Sequence, residues 1–132
     1  MMNKVINEGN ITTMVQTQEV FPSPETLDRF GGDITLLSEI SSMFLDGLPE
    51  MLSMMNTAIA SGNEHAVERA AHAIKGVVSN FGESPAQVAA LRLEMMGRKC
   101  DLASAREMAA ELEAELARLR KILDTFVKEN AL

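Results

Sequence analysis

From Leu102 to Phe126 the apolar residues Leu102, Ala105, Ala109, Leu112, Leu116, Leu119, Leu123 and Phe126 recur at alternating steps of three and four. At about 3.6 residues per turn, only a helix gathers that spacing into a single face. A seam of this length must be buried, either against other helices of the same chain or in a coiled coil with a second copy. The short connections at Gly62-Asn63, Gly82-Glu83 and Cys100-Asp101 favour the first, with antiparallel neighbours. A chain of 132 residues supplies one hydrophobic core and is too short for two. Tryptophan and tyrosine are absent. The core is therefore aliphatic, and the ten methionines are expected to act as adaptable filler within it.

Turn and capping residues divide the remainder. Residues 1–20 are polar, without a sustained period, and read as a flexible N-terminal leader; residues 21–132 form the domain. Ser23-Pro24 suits the start of a short helix that ends at Gly31-Gly32. Asp33 caps a long helix running to Gly62, in which Gly47 and Pro49 predict a kink rather than a stop. Asn63 caps a third helix closed by Gly82. Ser84-Pro85-Ala86-Gln87 has the form of a capping box with proline at the first helical position, and Asp101 is the expected cap of the final helix. The architecture expected is all-α: an antiparallel up-down four-helix bundle with a short additional N-terminal helix.

The formal net charge of −7 offers no basic field for phosphate backbones, which excludes nucleic acid and anionic membrane surfaces as expected partners. No segment approaches the ~18 apolar residues of a membrane span or the core of a signal peptide. The lone Cys100 excludes an internal disulfide and any multi-cysteine metal cluster, as in a reducing compartment, so a cytoplasmic setting is expected; no cofactor is expected, and burial of the final helix's seam within its own bundle points to a monomer. The initiating methionine and polar leader fit a free-standing chain.

The chemistry concentrates on the third helix. Steps of about 100° per residue place Val67, Ala70, Ala71, Ile74, Val77, Val78 and Phe81 on its core side. His65, Glu68, Arg69, His72, Lys75, Gly76, Ser79 and Glu83 fall on the opposite side, which turns the His72 imidazole towards solvent. Lys75 and Gly76 stand one turn on. A phosphorylated imidazole carries close to two negative charges, and an ammonium one turn away can hold its oxygens. Glycine inside a helix costs about 1 kcal/mol relative to alanine, so Gly76 wants a reason, and close approach of another molecule supplies one. The corresponding neighbours of His65 are Glu68 and Arg69, a carboxylate and a bulky side chain, which fit no such role; these residues and Ser79 are candidates for partner docking. A metal site built on His65, Glu68 and His72 would lack a fourth ligand, and no metal is expected.

The stretch AAHAIKGVVSNFG, residues 70–82, resembles the signature of histidine-phosphotransfer (HPt) domains through His72, Ile74, Lys75, Gly76 and Gly82. The similarity extends from the kinked helix before the motif to the LRLE segment, Leu91 to Glu94, and covers roughly residues 20 to 128. It implies a four-helix bundle with His72 as phosphoacceptor, Lys75 as phosphate stabiliser and Gly76 as clearance for the partner. The implied partners are receiver domains of hybrid sensor kinases or response regulators, whose aspartates exchange the phosphoryl group and which bring the Mg²⁺. No autonomous kinase activity is implied, and nothing resembles a glycine-rich ATP site. The chain departs from the family pattern at Val77 and Val78, where small or hydroxylated residues are common, and at Cys100, where glycine is. A dimerisation and phosphoacceptor domain of a sensor kinase fits less well, because Ala73 rather than an acidic residue follows His72. The alternative from a different class is a non-phosphorylated helical adaptor that binds a signalling partner.

Overall fold

The computed structural model describes residues 20–131. Most of the expected leader therefore lies outside the described residues. Five helices follow in order: α1 (Pro24–Arg29), α2 (Ile34–Ala60), α3 (Glu64–Val78), α4 (Pro85–Arg98) and α5 (Ala105–Glu129), with a 3₁₀ turn, Ser79–Phe81, continuing α3. Among the described residues there is no strand. Each long helix packs against the next, and α5 closes back on α2, giving a four-helix bundle with α1 as an extra element at the chain's start.

Most of the expected caps form. The side chains of Ser23, Asp33, Asn63 and Ser84 each accept a hydrogen bond from a backbone N–H of the first turn, relieving helix ends that would otherwise leave donors unpaired. The α2 helix runs unbroken through Pro49. Asp101 is the exception: α5 begins four residues later, behind Ser104, which makes no side-chain cap bond. Asp101 instead completes the stop of α4. Its N–H donates to the Met96 carbonyl and that of Cys100 to the Gly97 carbonyl, the paired bonds of a Schellman ending, while its carboxylate accepts from Ala103 N–H. Leu102 consequently falls before α5 and is half-buried, whereas Ala105 through Phe126 of the seam are buried as expected.

The core takes Leu37, Phe44, Leu48 and Met55 from α2, Val67, Ala71, Ile74 and Val78 from α3, and Leu93 from α4. One end is closed by Phe21, Phe44, Phe81 and Phe126, with the Phe21 and Phe126 rings edge-on at 5.1 Å. The methionines divide: Met55 is fully buried, but Met43 and Met54 are exposed, so the filler role holds for only part of the set. The helices that meet most closely are α3 and α4, because α4 offers Ala86, Ala89, Ala90 and Gly97 on its inner side. A Cβ at Gly97 would stand 2.6 Å from the Glu64 carbonyl oxygen and 2.6 Å from Glu68 N. Only a glycine lets the two backbones cross there.

Candidate functional site

The close crossing of α3 and α4 sets the site. The inner stripe of α4 (Ala86, Ala89, Ala90, Leu93, Gly97) includes one charged residue, Glu94, whose carboxylate is 2% exposed at the edge facing α3. A buried charge must be paired, and this one collects three partners. His72 Nδ1 lies 2.8 Å from Oε2, the Lys75 ammonium 2.7 Å from Oε1, and Arg98 Nη2 3.0 Å from Oε2. Arg98 also donates from Nε to Glu68 at 3.0 Å, tying α4 back to α3.

The Lys75 ammonium holds the Glu94 carboxyl below its ordinary range; burial opposes this, and His72 adds to the lowering. Glu94 is thus an ionised, acceptor-only group at neutral pH, and the hydrogen it receives from the imidazole must sit on Nδ1. In the neutral ring that leaves the lone pair on Nε2. The His72 side chain is 67% exposed, and among the described residues Nε2 has no hydrogen-bond partner. The carboxylates of Glu68 and Glu94 are matched by the cations of Lys75 and Arg98. Glu68 also holds the Arg98 guanidinium above its ordinary range.

The residues expected from sequence fall as follows. His72 points outward from α3. Lys75 is beside it, but its ammonium is committed to Glu94 rather than free. Gly76 is exposed, and a Cβ there would meet nothing within 4 Å, so no contact with another described residue requires a glycine. His65 is exposed, with Nδ1 3.7 Å from Glu68. Arg69 is exposed, and Glu68 is half-buried under Arg98. Ser79 donates to the Gly76 carbonyl at 2.7 Å, and its own carbonyl accepts from Arg29 of α1. Among the described residues no group of three or more His, Cys, Asp or Glu side chains could hold a metal ion, and no helix is long and apolar enough to cross a membrane. Glu94 and Arg98 were not among the residues singled out. A signal for Glu94 existed: it follows Ala90 by four residues and Leu93 by one, a carboxylate on the margin of an apolar stripe.

His72 is thus presented on a helix of a four-helix bundle, with Nδ1 held by Glu94 and Nε2 open. The Hpt domain family profile matches residues 39–122, and the chain belongs to that family. It is a histidine-phosphotransfer protein of a phosphorelay. In fold it is similar to histidine-containing phosphotransfer protein B (HptB) from Pseudomonas aeruginosa PAO1, with a TM-score of 0.74 and 21% identity over 81% of this chain and 94% of that one. A search of curated proteins found no match.

Proposed function

We propose that His72 is the phosphoacceptor and that Nε2 is its reacting atom. One contact carries this reading: the 2.8 Å approach of Nδ1 to a buried, ionised carboxylate, which fixes the ring's tautomer and turns the lone pair towards a docked partner. As the N–P bond forms, the bond from phosphorus to the receiver's aspartyl oxygen breaks and the aspartate leaves as a carboxylate. Positive charge then develops on the ring. Glu94, already hydrogen-bonded to Nδ1–H, stabilises it without moving, and reversal returns the phosphoryl group by the same path.

Lys75 sits one helical turn from His72, where an ammonium can meet the phosphoryl oxygens, and Arg98 can hold Glu94 while Lys75 does so. Gly76 leaves the approach open, and His65, Arg69 and Ser79 border it as docking residues, with Glu68 anchored beneath. The protein acts as a monomeric carrier between receiver domains of hybrid sensor kinases or response regulators, without kinase activity of its own; the metal chemistry resides in the receiver. The expected result is acid-labile, alkali-stable phosphate on the wild type after incubation with a phosphorylated receiver domain or phosphoramidate, with ³¹P–¹⁵N coupling at Nε2. The label should be absent from His72→Gln. Label retained in that variant, or coupling at Nδ1, would defeat the assignment.

A further inference from the structure

The two oxygens of the buried Glu94 carboxylate divide their partners. Oε1 faces the Lys75 ammonium at 2.7 Å, whereas Oε2 faces His72 Nδ1 at 2.8 Å and Arg98 Nη2 at 3.0 Å. Lys75 stands one turn from His72 on α3, so its ammonium can turn to a phosphoryl group on Nε2. That movement takes from Oε1 its only cation among the described residues. Arg98 is a weak substitute, because its guanidinium is 54% exposed and already shared with Glu68 at 3.0 Å. A buried carboxylate that loses one positive partner gains most from another, and the nearest is a proton retained on Nδ1.

That proton decides how the N–P bond breaks. With hydrogen on Nδ1 the phosphorylated ring is an imidazolium: an incoming oxygen bonds to phosphorus, the N–P bond breaks, and its electron pair returns to Nε2 of a neutral imidazole. Where the oxygen is that of water, its proton passes to solvent. Without the Nδ1 hydrogen the ring would have to leave as an anion, and a positioned proton on the leaving group speeds such a step. The surrounding charges favour the imidazolium. The phosphoryl group brings close to two negative charges and Glu94 adds one. Opposing them are Lys75 and Arg98, while Glu68 draws on Arg98 and Arg69 is exposed three residues before the ring. Arg92 of α4 lies towards α5, in a groove with Glu111 and Glu115. On the α2 side there is no lysine, arginine or histidine from Ile34 to Ala60, and Glu39, Asp46 and Glu50 form no ion pair with another described residue.

We infer that Glu94 keeps the phosphorylated His72 ring protonated on Nδ1, so that the phosphohistidine is a short-lived form in transit to an acceptor carboxylate rather than a store. This rests on His72 as phosphoacceptor, an assignment that the label on the wild type and its absence from His72→Gln test separately. Wild type, Glu94→Gln and Arg98→Gln are phosphorylated with phosphoramidate, freed of donor by gel filtration, and followed by ³¹P NMR across about pH 5–10, a range that brackets the imidazole. Loss of phosphate should be fast in acid and slow in alkali, with a midpoint set by the Nδ1 proton. Glu94→Gln removes the charge but keeps an acceptor oxygen, and should lower the midpoint by about one unit or more. Above both midpoints its phosphohistidine should then last about tenfold longer than that of the wild type. Arg98→Gln removes a cation and keeps the carboxylate, and should raise the midpoint; general loosening of the bundle would move both variants the same way. In the phosphorylated wild type at neutral pH, the ¹⁵N shift of Nδ1 should be that of a protonated nitrogen, a readout that needs no variant. Coincident midpoints for wild type and Glu94→Gln, shifts of like sign in the two variants, or an unprotonated Nδ1 in the phosphorylated wild type would overturn the inference.

Discussion

At the scale of single residues, Glu94 controls the site, and its titration makes that measurable. Its carboxyl is depressed by Lys75 and, secondarily, by His72. A depressed carboxylate adds stability above its unfolded value of about 4.3, and that contribution is lost as pH falls through the lower folded value. Urea unfolding midpoints of the wild type and Glu94→Gln should therefore differ at pH 7 and converge on acidification; parallel curves would show the charge to be irrelevant. The gap at neutral pH should be about 1–2 kcal/mol rather than the 3–5 of a fully buried pair, because Lys75 and Arg98 can regain water. Cys100 gives a prediction of the opposite sign. It occupies the position after the cap of α4 with φ 56°, a left-handed conformation that costs a residue with a Cβ about 1 kcal/mol or more. Cys100→Gly should raise the free energy of unfolding by about that amount, and a drop would mean that the side chain contributes something its exposed position does not suggest. The neighbouring Glu64 carboxylate pushes the thiol up, favouring its protonated form.

At the scale of the helix, two glycines on the α3–α4 pair have opposite reasons to exist. Gly97 is required by a neighbour: its absent Cβ is the space through which the α3 backbone passes. Gly97→Ala should cost about 1–3 kcal/mol by overpacking and push Glu94 and Arg98, which flank it, away from α3. Gly76 meets nothing, so Gly76→Ala should stabilise the isolated protein by about 0.5–1 kcal/mol while slowing transfer from a receiver. Denaturation curves for the pair, read beside transfer rates, separate packing from clearance; destabilisation by both would contradict the distinction. The caps Ser23, Asp33, Asn63 and Ser84, the seam of α5 and the outward face of α3 were legible in the sequence, because each depends on neighbours within a turn or two. Asp101 was misassigned because an Asp before an apolar run can cap a following helix or finish the preceding one, and Cys100 in a left-handed conformation gave no glycine to mark the stop. Glu94 was hidden for a different reason: its partners lie 19 and 22 residues away on α3, a distance only tertiary packing closes.

At the scale of the whole molecule, the bundle separates what holds it together from what does the chemistry. The largest seam, on α5, contributes Leu112, Leu116 and Leu123 to the core but no atom to the cluster around His72, which is built entirely from α3 and α4. Tightly packed interiors transmit strain, so this independence is a claim about local rigidity, and the caps and close crossing of α3 and α4 are its physical basis. Leu116, 1% exposed, is the probe. Truncation to alanine removes buried methylenes and leaves a cavity, so Leu116→Ala should lower unfolding free energy by about 2–5 kcal/mol in urea. At a temperature well below its unfolding midpoint, the ¹⁵N shifts of the His72 ring should nevertheless keep the wild-type pattern, with hydrogen on Nδ1. Phosphorylation by phosphoramidate should proceed at the wild-type rate, because neither the Glu94 contact nor the exposure of Nε2 depends on α5. A changed tautomer pattern in a still-folded Leu116→Ala protein would show instead that the site is tuned by the entire core, and that two helices do not suffice to position its nucleophile.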